Sequence, residues 1–308
     1  MIDSVFSPFL SAQSPDVPIP SHILPALEHL EEQAAIALTA ELDATLERII
    51  QQAEQLITRK NVEGILDLNQ GLGVGLQRPI MRLWEQGWLS GSEHALMEMR
   101  EAVPESARLE VEQFRIPDEV AKLLRNLLQL TPASFRNLPA ERAIQRRVLK
   151  LAGDFAKDTL AQVKTHLLAA IQVEPISRPV LLNRLQSTLN VARARAVTIA
   201  RTETTNAYNQ GRISTFTESR LVTHLIFYAI DDGRTTAICR SRAGMVIPIT
   251  DKQAIARNIP PCHYSCRSTI GNLMPDLVPA HRRIVEDESR LWSNRKLVPL
   301  LKGWRTGA

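Results

Sequence analysis

From Pro25 onward, apolar residues recur at Leu27, Leu30, Ala34, Leu38, Leu42, Leu46, Ile49, Ala53 and Leu56. The spacing of about 3.6 predicts one long amphipathic helix, with Pro25 well placed in its first turn. Residues 1–24 carry Pro8, Pro15, Pro18 and Pro20 without periodicity, which reads as an extended arm that orders only on a partner. The stretch around Gly71, Gly73 and Gly75 superficially suggests a phosphate-cradling loop, but no strand precedes it and no Lys-Ser/Thr pair follows. A flexible joint between helices is expected there instead. A capping box from Ser90 to Glu93, Pro117 ahead of Val120, Leu123, Leu124 and Leu127, and Pro139 ahead of Ile144, Val148, Leu151 and Phe155 announce further helices. Residues 25–175 therefore read as an α-helical domain.

After Pro175 and Pro179 a stripe runs through Leu182, Leu185, Leu189, Ala192, Ala196 and Ile199. Continued at the same 3,4 spacing, it lands on Glu203, Asn206 and Gln210, so a greasy face turns polar within one helix. An unpartnered buried carboxylate costs roughly several kcal/mol, so donors are expected from the next segment, with Arg234 or Arg267 as partner of Glu203. The alternative is fraying into solvent. The next segment is the β-rich one: strands are expected at 224–230, 244–249 and 267–270, with a turn at 231–234. The fold class is mainly α with a small C-terminal α+β module at 176–275, a long helix packed on a short β-sheet.

With 308 residues, 44% hydrophobic and 23% charged, the composition is that of an ordinary globular chain long enough for two domains. No run of about 18 uncharged apolar residues occurs, and the N-terminal stretch lacks the features of a secretory signal, so neither a membrane span nor export is expected. Charge is distributed unevenly. Residues 1–130 hold 10 Lys+Arg and 20 Asp+Glu, and residues 131–308 hold 27 and 13. Such polarity suits one half on a protein surface and the other on a polyanion, most simply nucleic acid; solvated helix faces are the plain alternative. The basic tail, 276–308, interleaves Arg282, Arg283, Arg295, Lys296, Lys302 and Arg305 with Trp292 and Trp304. It suits DNA contact by phosphate neutralisation and stacking, or docking on a protein groove.

The cysteines, Cys239, Cys262 and Cys266, all lie in one short stretch, and their odd number favours a reducing cytosol over a disulfide framework. Cys239, His263 and Cys266 offer two thiolates and an imidazole for zinc, with Cys262 or Asp232 to complete a tetrahedron. The plain alternative is packing in a small core around the Pro260-Pro261 corner. A thiol nucleophile is weakly supported, because nothing in the sequence fixes a base, an orienting group and an oxyanion hole.

Ala200-Arg-Thr-Glu-Thr-Thr-Asn206, Asp232-x-Arg-Thr-x-x-x-Cys239, Gly244 and Pro260-Pro-x-His-x-x-Cys-Arg267 together resemble the phage head morphogenesis family, the Mu F-like or SPP1 gp7-like minor head proteins. The resemblance covers about residues 190–270. It implies a structural motif of Arg201, Thr202, Glu203, Asn206, Asp232, Arg234, Thr235 and Arg267 alongside Cys239, His263 and Cys266, in a protein that is not an enzyme. It also implies a virion protein in the capsid interior near the portal, present in host cytoplasm during assembly, with portal protein, capsid or scaffold proteins and packaged double-stranded DNA as partners. Many relatives have a cysteine where Thr236 stands and end the last motif Cys-Arg-Cys, whereas this chain has Cys266-Arg-Ser268. Each departure removes a candidate thiolate. The competing function is an enzyme, ADP-ribosyl transferase or metal-dependent hydrolase, using Arg201-Glu203 and the Cys239/His263/Cys266 set; a free regulatory DNA-binding protein is a third, without a recognition-helix motif behind it.

Overall fold

The computed structural model describes residues 22–58, 62–66, 72–101, 138–172, 178–230 and 232–273. Within them the chain runs α1 (Ile23–Thr58), α2 (Val62–Leu66), α3 (Leu72–Glu101), α4 (Leu138–Gln172), α5 (Arg178–Ser219), β1 (His224–Tyr228), α6 (Ala237–Arg242), β2 (Val246–Pro248), α7 (Lys252–Asn258) and β3 (Thr269–Leu273). The fold class expected from the sequence is the one observed. Most of the arm, the helix announced by Pro117 and the basic tail lie outside the described residues.

The chain forms two compact units that do not follow chain order. Among the described residues one, the helical unit, takes those within 28–86 and 138–204; the other, the sheet unit, takes those within 22–27, 87–101 and 205–273. In the helical unit Leu38, Leu42 and Ile49 of α1, Leu72, Leu76, Ile80 and Leu83 of α3, Val148, Phe155 and Val163 of α4, and Leu185, Leu189 and Ala192 of α5 are buried. These are the 3.6-spaced stripes of the sequence, and their burial supplies most of the stability of such helices. Two expectations are corrected here. Gly73 and Gly75 are not a joint but the first turn of α3, which runs on through Pro79; the buried Leu72, Leu76, Ile80 and Leu83 outweigh a glycine penalty of about 1 kcal/mol each. Ser90 and Glu93 start no helix, because α3 already passes through them. The capping-box pattern is read as a helix start only where no hydrophobic stripe precedes it.

In the sheet unit three antiparallel strands lie in the order β2-β1-β3. Ala95, Leu96 and Met99 of α3, Phe216 of α5, Leu221 and Val222, Leu225 of β1, Ile247 of β2 and Ile270 of β3 form its core. Two short helices fill the strand connections. Thr236 caps α6 by accepting from Cys239 N, and Asp251 caps α7 by accepting from Gln253 N and Ala254 N. Strand pairing leaves one edge of β3 unpartnered within the sheet, and that edge positions the candidate site.

Candidate functional site

A 3,4 alternation has a period of 3.5, which slips about 20° per heptad against a real helix. Over the length of α5 the slip accumulates, and the buried polar positions are Glu203, Thr204, Thr205, Asn209, Arg212 and Thr215, while Asn206 and Gln210 are half-exposed. The polar switch foreseen at Glu203 is real, but its partner is not. In the helical unit Glu203 accepts from Arg147 Nε at 2.6 Å and Arg147 Nη2 at 2.7 Å, a bidentate pair, and from Trp84 Nε1 at 3.2 Å. Glu203 is 3% exposed. The expected pairing with Arg234 or Arg267 is therefore overturned: the clasping guanidinium comes from α4, upstream of the motif. Arg147 is drawn further toward its charged form by the hydrogen bond to Glu203.

Two residues further along, in the sheet unit, α5 meets backbone instead of side chains. Thr205 Oγ1 donates to Cys266 O at 2.7 Å. Asn209 uses its whole amide: Nδ2 donates to Thr205 O at 2.8 Å and Ser268 O at 3.3 Å, and Oδ1 accepts from Thr269 Oγ1 at 3.0 Å and Ile270 N at 3.1 Å. Arg212 Nε donates to Ile270 O at 2.6 Å, Arg212 Nη2 donates to Glu98, and Glu98 Oε1 accepts from Asn272 N at 3.2 Å. The backbone groups engaged belong to residues 266, 268, 270 and 272, every second one, because successive residues of a strand point their N–H and C=O to opposite edges. The intervening residues face β1, where Ile226 pairs with Gly271 and Tyr228 with Thr269. A polar helix face thus does the work of a fourth strand and closes an edge that would otherwise be open to pairing.

Arg212 is fully buried, and its guanidinium also lies 5.7 Å from the Tyr208 ring centroid and 5.2 Å from that of Phe216. Beside it His94 Nδ1 stands 2.7 Å from Tyr208 Oη, and the His22 ring meets His94 edge-on at 5.1 Å. Burial, then His22 and Arg212, lower the His94 imidazole from 6.5 to about 4, while burial pushes Tyr208 up to about 12. The tyrosine hydroxyl is accordingly the donor and a neutral imidazole the acceptor.

The loop after β1 is organised by Asp232. Its carboxylate accepts from Arg267 Nη2 at 2.6 and 2.8 Å, from Arg234 N at 2.9 Å and from Thr235 Oγ1 at 3.2 Å. The Arg267 hydrogen bond in particular holds Asp232 well below the usual carboxylate range. Arg267 is thus committed to Asp232, and the Arg234 side chain is mostly exposed with Nε 3.8 Å from Asp232 Oδ2. Asp232, so engaged, is no candidate for the metal position suggested for it from the sequence.

Cys239 from the buried side of α6, Cys262 and His263 from the Pro260-Pro261 corner, and Cys266 just ahead of β3 converge. The three sulfurs lie within 4.8 Å of one another. Cys239 Sγ is 3.6 Å from Cys266 Sγ and 3.1 Å from His263 Nε2, while His263 Nδ1 is 2.8 Å from Tyr264 O. The Sγ–Sγ separation is far from a disulfide bond of about 2.05 Å. Cys266 is held far below the ordinary thiol range by hydrogen bonds from Cys239 and Cys262, and Cys262 is pushed above it by its hydrogen bonds with Cys239 and Cys266.

Of the remaining motif residues, Arg201 is exposed, Thr202 Oγ1 donates to Thr198 O at 2.7 Å, and Asn206 is half-buried. The tail cations Arg282, Arg283, Arg295, Lys296, Lys302 and Arg305 lie outside the described residues. Trp84, Glu98, Arg147, Thr205, Asn209 and Arg212 are site residues that sequence reasoning missed. A 3.6 period carried through α5 would have flagged 205, 209 and 212 on one face; nothing in the sequence marks Arg147.

Residues 161–271 match the family model described as Phage Mu protein F like protein. No curated protein and no solved structure matches the chain. The matched stretch holds all of α5, nearly all of the sheet and both motif loops, and it supports a phage Mu F-like head morphogenesis family for this part of the chain.

Proposed function

We propose that the protein is a structural minor head protein of a tailed phage or prophage, associated with the portal vertex and in contact with packaged double-stranded DNA, acting in head assembly and in DNA packaging or delivery. The observation that carries this reading is the family match over residues 161–271. The geometry supports an architectural role for the signature. Glu203 is spent on Arg147, Asp232 on Arg267, and Thr205 on the Cys266 carbonyl. The charge polarity of the chain supports the division of labour: the acidic first 130 residues dock on portal or capsid protein, and the basic remainder, with its tail, meets DNA.

Mass spectrometry of purified particles, with a pull-down on the portal protein, tests the proposal: the protein is expected in both, and absence from both contradicts it. DNA contact has its own readout. If Arg282, Arg283, Arg295, Lys296, Lys302 and Arg305 neutralise phosphates, affinity for duplex DNA falls roughly 10³-fold between about 50 and 200 mM salt; affinity flat with salt removes DNA from the list of partners.

A further inference from the structure

We propose that Cys239, Cys262, His263 and Cys266 form a structural zinc site, with Cys262 supplying the third thiolate. The donor set is the first ground. Three sulfurs and an imidazole nitrogen suit zinc, which takes four such ligands as a tetrahedron. Distances are the second. A Zn–S bond of about 2.3 Å implies a tetrahedral S–S edge of about 3.8 Å and, with Zn–N of about 2.0 Å, an S–N edge of about 3.5 Å. The chain already holds Cys239 and Cys266 at 3.6 Å, Cys239 and the His263 nitrogen at 3.1 Å, and all three sulfurs within 4.8 Å.

The imidazole supplies the third ground. Its Nδ1 lies 2.8 Å from the Tyr264 carbonyl, which takes the N–H and leaves Nε2, the nitrogen 3.1 Å from Cys239 Sγ, with its lone pair. A backbone acceptor behind a ligating histidine is how metal sites fix the tautomer. Cys262 brings the third sulfur to the cluster from the Pro260-Pro261 corner. On binding, the thiols release their protons to solvent and bind as thiolates. Three thiolates, neutral His263 and a divalent ion leave one net negative charge.

Four protein ligands leave no open position for water or substrate, so the ion is structural. It joins α6, the corner and the residue before β3, and Cys266 passes the constraint on through its carbonyl, which accepts from Thr205 Oγ1.

The test is independent of any role in the phage head, since it reads metal alone. The full chain, purified under reducing conditions without chelator, is expected to carry about one zinc per molecule, and less than about a tenth of an equivalent overturns the site. Cobalt(II) added after chelator stripping is expected to give thiolate-to-metal charge-transfer bands with an intensity for three thiolates. Cys262→Ser is expected to lower that intensity by a third and weaken zinc binding at least tenfold. Unchanged intensity and affinity in Cys262→Ser overturns the assignment of Cys262. A mass two protons lighter, without metal, in protein handled without reductant identifies a disulfide and overturns the site as a whole.

Discussion

The clearest asymmetry at the level of single residues is in the ion pair of Glu203. The carboxylate side chain is 4% exposed and the Arg147 side chain 46%, so the two partners differ in what their loss leaves behind. Arg147→Ala strands a buried carboxylate with one indole N–H for company, and a loss of about 3 kcal/mol is expected. Glu203→Gln leaves an arginine that water can reach and an amide that still accepts from Trp84, so about 1–2 kcal/mol is expected. Chemical denaturation of both variants checks the order; a costlier Glu203→Gln contradicts it. A second prediction concerns acid. Burial and the neighbouring charges of His22 and Arg212 lower His94 from 6.5 to about 4, so the unfolded chain takes up a proton that the folded chain refuses. Stability therefore falls as pH drops from about 6.5 and the loss is complete near 4, His224, also lowered by burial, acting in the same direction. The groups facing His94 are His22, Tyr208 and Arg212. His94→Gln is expected to flatten the melting temperature against pH across this window, and an unchanged slope rules out the assignment.

Elements meet most closely where α3 and α5 touch in the sheet unit. A Cβ on Gly211 would fall 2.2 Å from Trp88 O, and one on Gly91 would fall 2.0 Å from Tyr208 O. Ser92 Oγ donates to Gly211 O at 3.3 Å at the same crossing. Neither backbone can give way without losing the register of Asn209 and Arg212 on β3, so Gly211→Ala is expected to destabilise by about 3 kcal/mol, read as a lower denaturant midpoint. A midpoint equal to wild type contradicts the contact. At this scale the sequence was readable wherever one face of a helix is apolar: α1, α4 and the first half of α5 follow from their stripes, and the strands from β-branched and aromatic runs. It was unreadable where packing overrules local signals. Gly73, Gly75 and Ser90 look like interruptions and are helix, because buried leucines on either side decide. The pairing of Glu203 was foreseen as an ion pair, but a partner 56 residues upstream leaves no mark in the spacing. The Cys239/His263/Cys266 cluster was visible as ligand types at ligand spacing; the choice of Cys262 over Asp232 to complete it needed the fold.

At the scale of the whole molecule, Thr205, Asn209 and Arg212 of α5 fasten the small sheet to the helix within the sheet unit. No described helix is long and apolar enough to cross a membrane, and of the signature side chains Asp232 is committed to Arg267 while Glu203 is committed to Arg147 outside the signature. The central claim is that side chains of α5 and α3 replace a neighbouring strand along β3. Residue-resolved hydrogen exchange on the full chain tests it most directly, because the Ile270 and Asn272 amides are held by Asn209 Oδ1 and Glu98 Oε1 and not by the sheet. They are expected to exchange as slowly as Phe227 N, which donates to Met245 O just ahead of β2, and to lose protection together in Asn209→Ala. Exchange of Ile270 and Asn272 at the rates of an open edge in the native protein would contradict the account.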